Sequence, residues 1–218
     1  MDRKRTVLLF ISVVGILFLL PLWAVLTQDR YALHLAINEV LPPDLDGFMR
    51  MATHLADGLV PLFLSLVLLF LGTRRSFLMM GLSTGLSAML VQLLKRNVFG
   101  DIHRPFAHLS EMPTLRMMHG VELHHHFSFP SGHSTAAMSM CFALAVIIGK
   151  PKWAVPLAVL AAVLCFTRVY LSQHFLQDIL AGGALGLVTG LGVHALLYTG
   201  TFSRRPWLQR QGWRRAQK

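Results

Sequence analysis

The sequence predicts an all-α membrane protein, a polytopic bundle of six transmembrane helices with both termini in the cytoplasm, and three observations carry that expectation. Its 218 residues are 54% hydrophobic and only 14% charged, with a mean hydropathy of +0.56, outside the range of soluble domains. The apolar residues gather in runs of roughly 17 to 25, the length a helix needs to cross the hydrocarbon core. Lysine and arginine stand between those runs instead of forming a polar face, so the net charge of +10 reads as membrane sidedness and not as a nucleic-acid footprint. The two cysteines, Cys141 and Cys165, both lie inside apolar stretches, which excludes a disulfide framework, a CxxC metal knuckle and cysteine chemistry.

The six runs are 6–27, 57–73, 76–94, 133–149, 153–171 and 176–199. The first follows Arg3, Lys4 and Arg5 like a signal-peptide n-region, but it is too long and no small-x-small cleavage site follows, so it is expected to stay as a signal anchor. Residues 74–75 and 150–152 leave room only for tight turns, whereas 28–56 and 95–132 are long enough to carry structure outside the bilayer. Within the first of these, Phe48, Met51, Ala52 and Leu55 recur at i, i+3, i+4 and i+7. That stripe predicts a short amphipathic helix at the outer interface, packed against the bundle. The chain 1–218 reads as one integral-membrane domain, ending in a basic cytoplasmic tail, 200–218, that serves as a stop-transfer and anionic-lipid anchor.

Orientation follows from the cations. One side of the six spans holds 13 of the 20 Lys and Arg residues, including Arg74, Arg75, Lys150, Lys152 and the tail, and retained basic residues mark the cytoplasmic face. The other side holds nine of the ten acids and is nearly neutral.

This topology brings four distant segments to the outer face at one depth: Lys95, Arg96 and Arg104; Ser131 and His133; Arg168; His174 and Asp178. Ionisable groups beside hydrocarbon are costly and usually functional. Several cations without matching carboxylates describe an anion site, and guanidinium groups match tetrahedral phosphate oxygens bidentately. Pro130-Ser131-Gly132-His133 opens the fourth span, where Ser131 and Gly132 let free backbone N–H groups and the helix dipole face that anion. His174 and Asp178, four apart, share a helix face, so Asp178 can accept from one imidazole nitrogen and leave the other free to attack.

Taken together these residues resemble the type 2 phosphatidic acid phosphatase family, membrane lipid phosphatases whose active-site pattern is shared with vanadium haloperoxidases. The resemblance rests on Lys95 through Arg104-Pro105, on Pro130-Ser131-Gly132-His133, and on Thr167-Arg168 with His174 and Asp178 following. It implies a metal-independent phosphatase without a cofactor. In that reading His174 attacks phosphorus to form a phosphohistidine, Asp178 orients it, and His133 protonates the leaving oxygen. Lys95, Arg104, Arg168 and the Ser131-Gly132 backbone would hold the other phosphate oxygens. Two departures from the pattern stand out. Eight residues separate Lys95 from Arg104 where the family has six, placing Asn97 at the expected position, so either a loop extension keeps Lys95 in the role or Arg96 takes it. Thr167 replaces the usual serine and keeps the hydroxyl.

His103 is a further candidate phosphate donor. His119 and the run His124-His125-His126 suggest zinc, but no Cys or HExxH pattern accompanies them and neighbouring residues on an extended loop point apart. A polar loop lining the site entrance is the expectation, with no metal. The function expected is hydrolysis of a lipid phosphomonoester or diphosphate at the periplasmic face of an inner membrane, on undecaprenyl diphosphate, phosphatidylglycerophosphate or lipid A phosphate. The rivals are a lipid phosphotransferase using the same site and a transporter of a phosphorylated lipid. Expected partners are the lipid phosphate and membrane lipids, with no nucleic acid.

Overall fold

The computed structural model describes residues 2–118, 120–122 and 124–211. Among them are eight α-helices and no β-strand. The membrane-anchoring α1 (Arg3–Thr27) is followed by α2 (Arg30–Val40), α3 (Asp46–Thr53), α4 (Leu59–Leu71) and α5 (Arg74–Asn97). A long irregular segment leads to α6 (Gly132–Ile148), α7 (Ala154–Tyr170) and α8 (Leu176–His194), whose last turn widens over Ala195–Thr199.

Local chemistry sets the helix ends. Asp29 accepts from the backbone N–H groups of Tyr31 and Ala32 to start α2, and Thr73 does the same for Ser76 at α5, each satisfying donors that a first turn leaves open. Ser131 caps α6, and Gly149 in the left-handed region (φ 59°) ends it, as a residue without Cβ readily does.

α6 forms the centre. It carries apolar or small residues on every side, packs against α5, α7 and α8, and buries Ala137, Met138, Cys141, Phe142 and Val146. α1 is the opposite case: Leu20 and Leu26 are 71% and 74% exposed on a helix that is almost wholly hydrophobic. A helix of that composition turns such a face to lipid. The chain is a membrane protein.

Four helical stretches are long and apolar enough to cross a bilayer: Arg3–Thr27, Arg74–Asn97, Pro151–Tyr170 and Leu176–Thr199. The remaining two apolar runs differ from their sequence expectation. The run at 57–73 gives only the 13 residues of α4, and it reaches spanning length together with Pro43–Ala56, from which it is bent by 49°. The run at 133–149 gives the 17 residues of α6.

Two features of the 28–56 segment were not foreseen. α2 forms there, and α3 buries Met49, Ala52 and Thr53 while Phe48, Met51 and Leu55 are exposed. Only Ala52 of the predicted stripe faces protein. Beside a bilayer an apolar stripe can face lipid, while Met49 and Thr53 pack against α7. Of the basic tail, residues 212–218, with Arg214, Arg215 and Lys218, lie outside the described residues, as does His119.

α8 meets α6 through Gly182, Gly186 and Gly190, one turn apart on one face. A Cβ at Gly182 would lie 2.4 Å from the Ser131 carbonyl oxygen, at Gly186 2.4 Å from that of Thr135, and at Gly190 2.7 Å from the Phe142 ring. Small residues at this spacing let helix backbones approach closely. Gly186→Ala is therefore expected to force the helices apart and to cost about 1–3 kcal/mol, as overpacking does. Gly192→Ala, where a Cβ meets nothing within 4 Å, should leave thermal unfolding in detergent unchanged. Equal melting temperatures for the two variants would refute the close-packing account.

Candidate active site

The turn between α7 and α8 presents His174. Ser172 adopts a left-handed conformation (φ 51°), and the N–H groups of Gln173 and His174 both donate to the Arg168 carbonyl, at 2.9 and 3.1 Å. The buried His34 of α2 faces the Ser172 hydroxyl at 3.2 Å, so α2 clasps the turn from outside. Burial lowers His34 to about 4, which keeps that contact neutral.

Asp178 fixes the His174 ring. Its Oδ2 lies 3.3 Å from His174 Nδ1 and accepts from Ser128 Oγ at 2.5 Å and from the Phe175 N–H at 3.0 Å. The last contact caps α8, and the Asp178 backbone carbonyl accepts from Ser131 N–H at 2.9 Å. With Nδ1 directed at the carboxylate, Nε2 is the nitrogen left for the cavity that His174 lines. Burial first, then the charges of Arg104, Arg168 and Lys95, push His174 well below the ordinary imidazole range. A neutral ring is the form with a lone pair to offer.

That cavity, about 340 Å3, is lined by Lys95, Arg104, Gly132, His133, Arg168 and His174 together with Ala56 and Gly58 before α4 and small or apolar residues of α5 and α6. Residues spread from position 95 to position 174 thus meet in one place. Lys95 Nζ donates to the Phe127 carbonyl at 2.8 Å. Arg104 donates through Nε to the His126 carbonyl at 3.0 Å and through Nη1 to Gln173 Oε1 at 3.3 Å. Arg168 donates to Thr53 Oγ1 at 3.0 Å. These partners are neutral, so they aim the cations without cancelling the charge available to an anion. Ser131 and Gly132 start α6 at the edge of the cavity, where its N–H groups and dipole favour negative charge.

Across the two-residue extension before Arg104, the two candidates are placed differently. Lys95 is buried and lines the cavity, whereas Arg96, one step round α5, is exposed. The His103 ring lies against that of His126, tilted by 55° with centroids 4.9 Å apart, and is outside the cavity lining. The histidine run divides. His124 lines the cavity, while the carbonyls of His125 and His126 accept from Arg104. Among the described residues no group of three or more His, Cys, Asp and Glu is placed to hold a metal. The Thr167 hydroxyl donates to the Leu164 carbonyl within α7.

Sequence reasoning missed several residues at the site. Asp57 Oδ1 accepts from His133 Nε2 at 2.7 Å, and its Oδ2 accepts from His54 Nδ1 at 2.9 Å. Ser128, Gln173 and Thr53 were also unmarked. A lone acid at the head of an apolar run gives no periodic or motif signal.

The fold and this cavity define a helical membrane protein with a cationic, histidine-bearing anion centre. Residues 76–202 match the model of the PAP2 superfamily, and the chain belongs to that superfamily. It is a membrane lipid phosphatase. A lipid A 4′-phosphatase from Porphyromonas gingivalis is 25% identical over 181 residues, 81% of this chain and 75% of its own length. The crystal structure of Aquifex aeolicus LpxE superposes with a TM-score of 0.65 at 25% identity, covering 75% of this chain and 93% of that one. The first transmembrane PAP2 type phosphatidylglycerolphosphate phosphatase from Bacillus subtilis shares the fold, with a TM-score of 0.61 at 24% identity over 89% of this chain and 95% of its own.

Lys95→Ala is expected to lower turnover of a lipid phosphate by about 100-fold or more, the scale at which removing one preorganised charge-stabilising group acts. Arg96→Ala should change it less than about twofold. Phosphate release by the two purified variants checks this, and the opposite ranking would assign the role to Arg96.

Proposed function

We propose that the protein hydrolyses a lipid phosphate through a phosphohistidine on His174. The observation that carries this reading is the meeting of the Asp178-oriented His174 with Lys95, Arg104 and Arg168 in one cavity. His174 Nε2 attacks phosphorus, and the three cations with the Ser131-Gly132 helix start hold the equatorial oxygens. His133 gives a proton to the leaving oxygen as its bond to phosphorus breaks. Water then attacks the phosphohistidine, His133 takes the water proton, and the P–N bond breaks to release phosphate. No proton is gained or lost by the site over the cycle.

Among the three expected substrates, lipid A phosphate is placed first, because the Porphyromonas gingivalis relative carries that activity in its name. Undecaprenyl diphosphate and phosphatidylglycerophosphate follow. The whole chain 1–218 forms one domain. Counting α4 with its bent partner and α6 as spans gives six crossings. The basic turns at Arg74-Arg75 and Lys150-Lys152 then lie with both termini in the cytoplasm, and the cavity opens to the periplasm or cell exterior.

The deciding experiment is phosphate release from these three lipids by purified protein in detergent with EDTA. Release is expected to persist in EDTA, to fall at least about 1,000-fold in His174→Ala, and to be fastest on lipid A phosphate. A requirement for added divalent metal, or full activity in His174→Ala, would overturn the phosphohistidine. Preference for another lipid would overturn only the substrate. Release of free phosphate without transfer to an added lipid or sugar alcohol separates the hydrolase from a phosphotransferase.

A further inference from the structure

We infer that Asp57 is a positioning residue for His133: it accepts from Nε2 and stabilises the doubly protonated ring, so that the Nδ1 proton is the one delivered to the leaving group. The inference rests on the proposed roles of His133 and His174. It starts from an imbalance in the cavity. His133 must carry a proton at the moment the ester bond breaks, yet the groups facing it are overwhelmingly positive. Lys95 stands on α5, Arg168 on α7, Arg104 and His124 on the long segment before α6, and His174 on the α7–α8 turn, all lining the cavity with His133. Like charges within a few ångströms disfavour a further proton. Of the nearby carboxylates, Asp178 is fully buried behind the lining and directed at His174, Ser128 and the start of α8, and Glu122, in the adjoining pocket with His133 and Asp57, is 85% exposed.

Asp57 supplies the missing counter-charge. It sits in the short connection between α3 and α4, and its Oδ1 accepts from His133 Nε2 at 2.7 Å. That contact fixes the ring and favours the doubly protonated imidazolium over the neutral form. Its second oxygen accepts from Nδ1 of the exposed His54 at 2.9 Å, so the carboxylate is held from both sides. The two histidines are therefore oriented in opposite senses. Asp178 engages Nδ1 of His174, leaving Nε2 in the cavity, while Asp57 engages Nε2 of His133, whose Nδ1 makes no hydrogen bond among the described residues. Asp57 itself neither gains nor loses a proton in the reaction. His133 passes one to the leaving oxygen in the first half and recovers one from water in the second.

Leaving-group dependence tests this. A lipid alkoxide needs a proton to depart, whereas the aryl oxide of p-nitrophenyl phosphate does not. Asp57→Asn keeps the shape and removes the charge. It is expected to lower kcat on the lipid phosphate by about 10- to 100-fold, a share of what general acid catalysis contributes. On p-nitrophenyl phosphate the loss should be under about threefold, and inhibition by inorganic phosphate should change little. Asp57→Glu, which restores the carboxylate, should recover most of the lipid turnover. Equal losses on both substrates, or none on either, would overturn the role, as would failure of the glutamate variant to recover lipid turnover. The same assay includes His174→Ala. If that variant keeps wild-type activity, the phosphohistidine reading itself falls. If it is inactive while Asp57→Asn matches wild type, only the inference about Asp57 does.

Discussion

Much of this structure turns on the Asp178 carboxylate and the backbone around it. One oxygen caps the first turn of α8 through the Phe175 N–H, receives the Ser128 hydroxyl and faces His174 Nδ1. The main-chain carbonyl of the same residue accepts from Ser131 N–H, the residue that starts α6. Helix start, ring orientation and the junction of two central helices therefore depend on one position. Such a carboxylate is buried at the cost of its hydration, and hydrogen bonds to its charged form offset that cost. The close α6–α8 contact made by Gly182 and Gly186 keeps those donors within reach. Packing of two backbones and orientation of His174 are thus parts of one constraint.

A second constraint acts on the cations. Three of them share a cavity with three histidines and small or apolar residues, and carboxylate partners would neutralise the charge that an anionic ligand needs. Main-chain carbonyls of Phe127 and His126 and the neutral oxygens of Gln173 and Thr53 hold them instead. This accounts for the long segment between α5 and α6. Its irregular backbone leaves carbonyls unclaimed by helix ladders, and non-helical backbone at this depth is stable where it lines a polar cavity. The extra residues between Lys95 and Arg104 lengthen that segment without displacing the lysine, whose position is set by the helix α5 and not by the loop.

The sequence makes some of this legible and hides the rest for identifiable reasons. Lys95, Arg104, Arg168, His133, His174 and Asp178 were readable because charge beside hydrocarbon stands out and because an even number of spans carries distant segments to one face. Asp57, Ser128 and Thr53 were not, since they act through single contacts with residues 50 to 115 positions away and leave no periodic trace. The glycine stripe of α8 was readable in principle from its four-residue spacing. The face of α3 was misjudged because apolar periodicity names a stripe without saying whether protein or lipid covers it. His103 drew attention by standing beside Arg104, yet neighbours on a loop diverge, and its ring turns to His126.

The site contains two imidazole–carboxylate pairs, and their surroundings separate their work. His174 and Asp178 are almost wholly enclosed, at 1% and 0% exposure, whereas His133 and Asp57 are 32% and 37% exposed. Enclosure disfavours charge on an imidazole, which suits a nucleophile that must present a lone pair. At His133 the adjacent Asp57 carboxylate works against that tendency, and partial access to water suits a group that is to be recharged by water. Pairs of titratable groups whose environments pull them apart are how one cavity supplies a base and an acid at the same pH. In this chain the separation follows from topology. The inner pair lies where α6, α8 and the α7–α8 turn converge, while the outer pair forms where the connection before α4 meets the first turn of α6. The His133 side of the cavity thereby depends on Asp57, which stands at the break of the bent α3–α4 unit.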